Sequence, residues 1–544
     1  MRHPPLLLLL ILLILSLSAS RVLHATTFYL DPSAGSLNNP GTPTSPWPAL
    51  EAVVQAGLIE SRQYTTPYNP TNPVLTAKNT GAPVQAGDTL ILLNGLHGNL
   101  ILQNFINEQM ITIMAAEGQS PTLRRIHLQG AKNWRLEELL VSGEPYGDYH
   151  REKLVYLESH NWQGPVSHIE VRHCEIYSTL EPWTTAGDWL AKVSDGLYLR
   201  GDSLLAENNL IRNIDMGLTA LGDHITARNN QIVNFSGDGM RPLGSYILFE
   251  GNLIKNCYDV DDNHDDGIQS FTTGGRIVDH NIMRGNIIIN REDANQPLSG
   301  PLQGMGFFDG FYHDWIVENN LIITDHWHGI TFLGARDCRI INNTVLDPTP
   351  DLAPGPSWIM VAAHKDGRPS SGCIVKNNVT NDIRVDGMTG NNRVLSTYVE
   401  YSAQFVDHTS FNFHLLPGSD LIDAGDVLSA PDTDLEGIKR PKGALPDIGC
   451  YEYQGELSPT RAVEGSGGFR VYPNPVKDHL FVDGPYEDCL MLLLSSDGQL
   501  IRVSDSPNSN IVKMNTFPPG SYLLWIIKRN TGQRWGQWII KSQN

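Results

Sequence analysis

The sequence predicts an all-β solenoid of stacked coils, because two short motifs recur along it at similar intervals. One motif is a glycine that opens a short, mostly apolar run, and these glycines lie 21, 22, 28, 39 and 23 residues apart. They are Gly196, Gly217, Gly239, Gly267, Gly306 and Gly329. The other motif is an asparagine beside a short apolar strand. It recurs at Asn209, Asn230, Asn252, Asn286, Asn320, Asn343 and Asn378. A repeat of about 20 to 40 residues built on one strand type is typical of solenoids.

The two motifs stay in phase with no helical period between them, which specifies a parallel β-helix. Each coil adds about 4.8 Å along the axis, and stacked asparagines can bond from coil to coil. From about Thr27 to Tyr453 the repeat resembles the right-handed parallel β-helix proteins of the pectate-lyase-like superfamily. That resemblance implies a right-handed coil. Because most members act on polysaccharides, it also implies a polysaccharide partner.

The composition agrees with a turn-rich β protein and excludes some partners. The chain has 50 glycines, 34 prolines and only 18% charged residues. Its formal net charge of −20 and the lack of a Lys/Arg cluster argue against a nucleic-acid partner. The six cysteines are too sparse for a disulfide framework or a zinc site. We expect isolated buried thiols, with one bridge possible.

The first 25 residues have the features of a signal peptide. Arg2 provides the positive start, residues 6–17 form the apolar core, and small residues follow up to Ala25. The apolar run is short for a membrane span, and no later stretch approaches one. We therefore expect an exported protein that has no membrane span in its mature form, and we expect it to be a monomer.

The predicted β-helix domain covers residues 26–453. A helix at about 49–56, with apolar spacing of three to four, is expected to cap the first coil, since an open solenoid end exposes core and unpaired strand edge. A closing segment from Asp407 to Tyr453 is expected to pair with and cover the last coil. A Gly/Ser-rich linker follows at 454–468.

A small β-sandwich-like domain is predicted for residues 469–544. Its turn at Asp497-Gly498 lies between apolar runs, which is a hairpin signal. The Val-Tyr-Pro-Asn-Pro run at 471–475 and the Pro-Gly-Ser-Tyr-Leu run at 519–523 resemble the C-terminal sorting domain of the type IX secretion system. That resemblance implies a Bacteroidetes-type host, export through the periplasm, a secretion-machinery partner, and delivery to the cell surface or the medium.

Alternation along the strands predicts one functional face. The residue after each glycine is apolar and should point inward, so that the following residue points outward. The outward positions are Tyr198, Thr219, Arg241, Gln269, Phe308 and Thr331, and the residues before the glycines include Asp195, Asp238, Asp266 and His328. We expect a groove for an extended sugar chain here, with Tyr198, Arg200, Gln269 and Phe308 as substrate-binding residues. The alternative is that each Asp-Gly pair is turn chemistry alone.

An acidic cluster at 259–266 places five carboxylates within eight residues. Such crowding calls for a cation or for protons, and Ca²⁺ is the natural candidate because it takes six to eight oxygen ligands. The predicted ligands are Asp261, Asp262, Asp265 and Asp266. The alternative is a solvated acidic insertion.

The leading prediction for the chemistry is β-elimination on a uronate-containing polysaccharide. Such a reaction needs a cation on the sugar carboxylate and a base facing C5. The strand around Asp238 and Arg241 resembles the lyase strand that carries a basic catalytic residue, and Asp265-Asp266-Gly267 resembles a lyase calcium strand. Because arginine holds its proton strongly, we expect Arg241 to clamp the carboxylate and His264 or His328 to be the base.

Three alternatives stay open at this stage. Asp238, followed on the next coil by Asp265 and Asp266, resembles the acid arrangement of the polygalacturonases, which are inverting hydrolases. Other signatures of that family are missing, since His328-Gly329 lacks the leading glycine. A uronate epimerase would remove the same proton as a lyase. A non-catalytic glycan-binding adhesin would need only the groove.

Overall fold

The computed structural model describes residues 25–455, except 148 and 150, and parts of the C-terminal region. Those parts are 463–464, 470–472, 476–477, 479–483, 489–495, 500–504, 511–514, 517–528 and 534–541. Apart from Ala25, the predicted signal peptide lies outside the described residues, as does most of the predicted linker. The chain separates into two compact units, residues 1–453 and 454–544.

The first unit is a parallel β-helix, and its coils form three ladders of parallel strands. We call the first of them the groove ladder. It consists of the first halves of Asn99–Ala115 and Arg125–Glu137, then Lys153–Glu158, Asp195–Arg200, Leu218–Ala220, Met240–Pro242, Asp266–Phe271, Gln303–Asp309, His328–Leu333, Trp358–Ala362 and Asp382–Val385.

The second ladder is joined to the groove ladder through the two long strands, which bend across both faces. It consists of Thr27–Leu30, Thr89–Leu92, the second halves of the two long strands, Ser167–Arg172, Asp202–Glu207, Ile225–Arg228, Leu248–Glu250, Ile282–Arg284, Ile316–Glu318, Arg339–Ile341, Ile374–Lys376 and Met388–Gly390.

The third ladder closes the coil. It consists of Gly95–Leu96, Pro121–Leu123, Leu140–Val141, Glu175–Tyr177, Leu210–Ile214, Gln231–Phe235, Leu253–Cys257, Ile287–Ile289, Leu321–Ile323, Thr344–Leu346, Val379–Thr380 and Arg393–Val394. A short extra ladder contains Ile277–Asp279, Phe311–His313 and Ala335–Arg336. Ser61–Tyr64 pairs antiparallel with Leu75–Lys78 and, at Arg62, with the long strand Asn99–Ala115. Phe405–Asp407 pairs antiparallel with Asn412–Leu415.

Apolar side chains fill the interior in register from coil to coil. The residues after the ladder glycines are buried and stack in order: Leu197, Leu218, Met240, Ile268, Met305 and Ile330. These side chains belong to one continuous core of the β-helix. The predicted all-β solenoid is therefore confirmed, because alternation along each strand buries one apolar column and exposes the next.

The predicted asparagine ladder is also confirmed. Each buried asparagine donates its side-chain Nδ2 to Oδ1 of the next, at 2.8–3.0 Å, from Asn209 to Asn378 and on to Asn392. The residue before each one has the left-handed backbone that turns the coil, as at Asn208 with φ 56° and Gly251 with φ 64°. Asparagine tolerates that conformation better than other residues with a Cβ.

The predicted glycine ladder needs one correction. Met305, not Phe307, pairs with Ile268 and Ile330, so the ladder glycine of this coil is Gly304 rather than Gly306. A Cβ on Gly304 would lie 2.3 Å from the carbonyl oxygen of Gly329 on the next coil. The outward position of this coil is consequently Gly306.

Helices are few and short. They are Leu50–Gln55, Ala186–Lys192 and Tyr398–Gln404, with 3₁₀ turns at Glu144–Tyr146 and His408–Ser410. The first agrees with the predicted capping helix, because Leu50 and Val53 are buried in the core of the β-helix. Among the described residues, no helix is long and apolar enough to cross a membrane.

The closing segment packs along the side of the solenoid rather than only over its last coil. Phe413, Leu421 and Ile448 share a separate core with Ile323 and Leu346 of the third ladder. Within this segment Arg440 and Glu452 form a buried ion pair at 2.6 Å. The predicted cover is therefore present, but it seals the outer face of several coils.

The second unit contains two four-stranded antiparallel sheets. One has Val463–Glu464, Arg470–Tyr472, His479–Asp483 and Ile511–Lys513; the other has Leu500–Ser504, Cys489–Ser495, Gly520–Lys528 and Arg534–Lys541. Apolar side chains of both sheets share one core, as expected for the predicted β-sandwich-like domain. Val463–Glu464 falls inside the predicted linker, where no strand was expected.

Candidate active site

The outward side chains of the groove ladder form a column along one face. In coil order they are Tyr156, Tyr198, Thr219, Arg241, Gln269, Gly306, Thr331 and Met360. The small Thr219 leaves a depression beside Arg241, whereas at Gly306 the Asp266 carboxyl and the Phe308 ring fill the space that a side chain would take. The sequence analysis predicted Phe308 for this column, but Gly306 takes that position. Phe308 follows two residues later on the same strand and contacts His328, with ring centroids 4.7 Å apart.

Two buried acids lie beneath the centre of the column. Asp238 and Asp266 are 1% and 0% exposed, although the sequence placed them on the open face. Asp238 Oδ2 accepts a hydrogen bond from Arg241 Nε at 2.5 Å, and Asp238 Oδ1 accepts from the backbone N–H of Asp266 at 3.0 Å. Asp266 Oδ2 accepts from Gln269 Nε2 at 2.9 Å. One hydrogen-bond network therefore joins the two predicted acids to Gln269 and to Arg241, the predicted clamp.

Burial changes the protonation of this network. It raises the pKa of Asp266 to about 7, with the charge of Asp238 acting in the same direction. It also raises the pKa of Asp238, while Arg241 opposes that shift. His264 Nδ1 lies 3.7 Å from Asp266 Oδ2, and this contact raises the pKa of His264 to about 9. The site thus combines a histidine that holds its proton tightly with a carboxyl group that is much harder to ionise than usual.

The absence of a side chain at Gly306 lets the Asp266 carboxyl and the Phe308 ring pack against the backbone there. A Cβ at position 306 would lie 2.2 Å from Asp266 Oδ1 and 2.4 Å from the ring of Phe308. Asp266 Oδ1 is buried and has no hydrogen-bond partner within the protein. An unpaired buried carboxylate oxygen is costly when the group is ionised, which favours the protonated form of Asp266.

His328 lies at some distance from this network. It sits three coils beyond Arg241, which corresponds to roughly 14 Å along the axis. Its Nδ1 is 2.9 Å from Thr331 Oγ1, which also accepts a hydrogen bond from Trp358 Nε1. Burial lowers the pKa of His328 to about 4. Neither histidine fits the predicted role of base at Arg241, because His264 is protonated at neutral pH and His328 is too far away.

A polar cleft of about 390 Å³ occupies the depression at Thr219. Arg151 and Lys153 line it together with Tyr198 and Arg241. Lys153 Nζ lies 4.9 Å from the ring centroid of Tyr198. Asp195, which the sequence assigned to the face, is 3.4 Å from Lys153 Nζ, and the exposed Arg200 ends the same strand. Glu152 and Asp215 line the cleft as well, and Arg151 pairs with Asp215 at 3.2 Å. The cleft therefore offers ion-paired cations and an aromatic ring next to Arg241.

Aromatic rings lie on both sides of the acid pair. Tyr156 and Tyr198 form an edge-to-face pair on one side, with ring centroids 5.2 Å apart. On the other side Trp358 contacts His328 at 5.0 Å, next to Phe308. Flat rings along a groove are suited to stacking on sugar rings.

The four predicted calcium ligands do not converge. Asp261 and Asp262 are exposed, whereas Asp265 and Asp266 are buried. Asp265 Oδ2 accepts a hydrogen bond from Cys257 Sγ at 3.4 Å, and burial raises the pKa of Asp265 to about 8. Among the residues that the structure describes, no three His, Cys, Asp or Glu side chains are placed to hold a metal ion. No step proposed below goes through calcium, and its binding stays a prediction.

Sequence reasoning missed several residues of the site. Arg151, Lys153 and Tyr156 come from coils that lack the ladder glycine, and Trp358 stands where the next coil would carry one. The alternation of the Lys153–Glu158 strand could have revealed Tyr156. Nothing in the local sequence indicated that Arg151 turns toward the same cleft.

The family comparisons identify both parts of the chain. Residues 160–347 match the family described as the right handed beta helix region, and residues 470–541 match the secretion system C-terminal sorting domain. The chain therefore contains a right-handed β-helix region followed by a type IX sorting domain. A sorting domain of this kind indicates secretion or surface display in Bacteroidetes. No curated protein matches the chain.

Solved structures with a similar fold act on varied glycans. One is the Azotobacter vinelandii mannuronan C-5 epimerase AlgE6 A-module, at 12% identity and TM-score 0.34, covering 57% of this chain and 90% of that one. Another is the GH136 lacto-N-biosidase from Eubacterium ramulus, at 12% identity and TM-score 0.36, covering 68% of each chain. A third is the tailspike gp49 of Acinetobacter baumannii bacteriophage Fri1, a capsular polysaccharide depolymerase, at 8% identity and TM-score 0.29, covering 80% and 74%. These values are too low for any of these activities to be transferred.

Proposed function

We propose that this protein is a carbohydrate-active enzyme that cleaves an acidic polysaccharide by β-elimination in the groove above Asp238 and Asp266. The observation that carries the proposal is the network in which Asp238 binds Arg241 at 2.5 Å and also accepts from the backbone N–H of Asp266 on the next coil at 3.0 Å. A sugar carboxylate bound by Arg241 would place its ring above Asp266. The aromatic pairs on either side would bind the neighbouring sugars.

Arg241 is suited to clamp the carboxylate rather than to act as the base. Its Nε donates a hydrogen bond to the buried Asp238, which fixes the planar guanidinium, and arginine is a poor base in any case. The terminal nitrogens remain to bind a sugar carboxylate, because the side chain is 21% exposed and lines the cleft. Neutralising that carboxylate is what makes the C5 proton removable.

Asp266 and His264 supply the proton transfers in this proposal. The ionised form of Asp266 takes the C5 proton, the C4–O bond breaks, and a double bond forms between C4 and C5. His264, as the imidazolium, gives its proton to the leaving oxygen. A pKa of about 7 for the base and about 9 for the acid allows both forms at neutral pH.

Inverting hydrolysis is the second candidate. It is favoured by the two buried carboxyl groups on adjacent coils, both with raised pKa. In that reaction protonated Asp266 would donate to the glycosidic oxygen, and Asp238 would activate water. The products differ, since elimination leaves an unsaturated sugar and hydrolysis does not.

A substrate screen tests the proposal. Purified protein is incubated with pectin, alginate and glycosaminoglycans, and both ultraviolet absorbance of unsaturated sugar and new reducing ends are followed. Both signals rising together would support elimination. Reducing ends without absorbance would replace it by hydrolysis, a changed uronate without chain cleavage would indicate an epimerase, and binding without any product would indicate an adhesin.

Arg241→Lys tests the clamp. The charge is kept but the planar fork is lost, so we expect KM to rise about tenfold with turnover still measurable. Thr219→Ser on the adjacent coil is the matched control, because it keeps the small outward residue. Loss of turnover with unchanged glycan binding and melting temperature would show that Arg241 takes part in proton transfer instead.

Calcium binding at the acidic cluster stays a separate prediction. A cation that binds only the folded state raises the melting temperature by mass action. We expect the melting temperature to rise with added Ca²⁺ and to fall with chelator, and Asp261→Asn with Asp262→Asn to remove the response. An unchanged melting curve, with no metal in the purified protein, would reject calcium while leaving the proposed reaction intact.

A further inference from the structure

Two cysteines occupy equivalent positions on successive coils near the C-terminal end of the groove ladder. Cys338 and Cys373 each precede a strand of the second ladder, and those strands pair with Arg339 opposite Ile374. The backbone N–H of Ile374 donates to the carbonyl oxygen of Cys338 at 2.9 Å. Neighbouring coils are about 4.8 Å apart, and disulfide-bonded cysteines have Cα atoms about 4.4 to 6.8 Å apart.

Both thiols are buried in the core of the β-helix on neighbouring coils. Cys338 is 0% exposed and Cys373 is 1% exposed. Burial raises the pKa of Cys338 and the neighbouring Cys373 thiol adds to that rise, while the Cys338 thiol lowers the pKa of Cys373. The closest polar atom to Cys338 Sγ outside the pair is the carbonyl oxygen of Tyr312, at 3.4 Å.

The other cysteines whose side chains are described have different partners. Cys174 Sγ donates to the carbonyl oxygen of Arg172 at 3.3 Å, and Cys257 Sγ donates to Asp265. Cys450 lies beside Thr344. These three therefore serve as internal references for any chemistry that is specific to the Cys338–Cys373 pair.

We propose that Cys338 and Cys373 form a disulfide in the exported protein. The structure holds them as free thiols. Oxidation removes one proton and one electron from each thiol, and an exchangeable disulfide accepts them and becomes two thiols. Such oxidants operate outside the cytoplasm, where the sorting domain directs this chain. The bond forms before the coils stack fully, because the folded core shields both sulfur atoms.

The bond would fasten one end of the groove. It closes a loop over residues 339–372, the coil that carries Trp358, whose ring contacts His328 on the preceding coil. Trp358–Ala362 is the last strand but one of the groove ladder, followed by Asp382–Val385, and coils near the end of a solenoid open more readily than central ones. The redox state of this pair therefore sets how firmly the Trp358 side of the groove is held.

Mass spectrometry of the intact exported protein tests the proposal. The protein is purified from the medium or the cell surface, unfolded in iodoacetamide without reductant, and digested. We expect a peptide that links Cys338 to Cys373, about 2 Da lighter than the sum of its reduced parts, with Cys174, Cys257 and Cys450 fully alkylated. Full alkylation of Cys338 and Cys373 in the same sample would overturn the proposal.

Variants separate the bond from the packing of the two residues. Cys338→Ser should leave Cys373 alkylated and should lower the melting temperature to that of the reduced wild type. Cys174→Ser, the matched control, should keep the linked peptide. An identical melting temperature for oxidised and reduced wild type would overturn the fastening role. None of these readouts depends on a substrate, so they stand or fall separately from the proposed reaction.

Discussion

Polar side chains are buried in two regions of the solenoid, the asparagine ladder and the acid pair beneath the groove. The two regions differ in how completely those side chains are hydrogen-bonded. In the ladder, Asn252 donates to Ala227 O and Asn286 Oδ1 and accepts from the N–H and Nδ2 of Asn230, all at 2.9–3.0 Å. At the groove, Asp266 has one oxygen without a partner and a pKa of about 7. A neutral side chain with every bond made stabilises the coil. A buried carboxyl group with a raised pKa and one oxygen without a hydrogen-bond partner is a candidate for a functional role.

The largest expected effect is on the acid pair. Asp266→Asn keeps the shape and the bond to Gln269 but removes the proton transfer, so we expect turnover to fall about 1,000-fold. The melting temperature should stay the same or rise, because a strained carboxyl is gone. The neighbouring Asp265→Asn, whose carboxyl contacts Cys257, should keep its turnover. Full activity in Asp266→Asn would remove this residue from the reaction.

Substitutions at two glycines of the Gln303–Asp309 strand should separate a structural role from a functional one. Gly304→Ala brings a Cβ to 2.3 Å from the backbone oxygen of Gly329, which cannot move away, so we expect loss of folded protein. Gly306→Ala instead meets Asp266 Oδ1 and the Phe308 ring, both of which are side chains that can shift. We expect this variant to fold and to lose about 100-fold in turnover. Thermal melting and steady-state rates distinguish the two, and the reverse pattern would contradict the assigned register.

A substitution in the asparagine ladder should lower stability without changing activity. Asn252→Ala removes two donated bonds and leaves Asn230 Nδ2 without its partner on the next coil. We expect the free energy of unfolding to fall by about 3 kcal/mol, measured by denaturant titration. The exposed Asn38→Ala is the control and should change little. A change in KM or kcat that exceeds the change in folded fraction would show that the two regions are coupled.

The last prediction concerns the pH dependence of stability. Burial raises the pKa of Asp265 to about 8 and that of Asp266 to about 7, from 3.8. The folded protein then holds protons that the unfolded chain has released, so this contribution is complete below about pH 4 and is lost as the pH rises to about 8. We expect the melting temperature to fall over that window and the fall to be smaller in Asp265→Asn. Asn252→Ala should lower the whole curve without changing its slope, and an equal slope in Asp265→Asn would contradict the raised pKa.

The sequence by itself determined the repeating parts of this protein. The stacked asparagines, the inward apolar column, the capping helix and the sorting domain each depend on short motifs whose meaning does not change with distant context. Asn209 and Asn230 face each other because the residues between them form one turn of the same coil. A local signal of that kind predicts the structure of one coil without information from the other coils.

Only the tertiary structure decided the details of the groove. The long insertion before Gln303 hides the phase of its coil, so two glycines two residues apart could not be told apart until Met305 paired with Ile268. The burial of Asp238 and Asp266 depends on side chains from neighbouring coils, and so do their raised pKa values. Arg151 reaches the cleft from outside the repeat. The local sequence of a solenoid specifies each coil, but each site on its surface is assembled from several coils. The relative register of those coils and the burial of their side chains are set only when the coils stack.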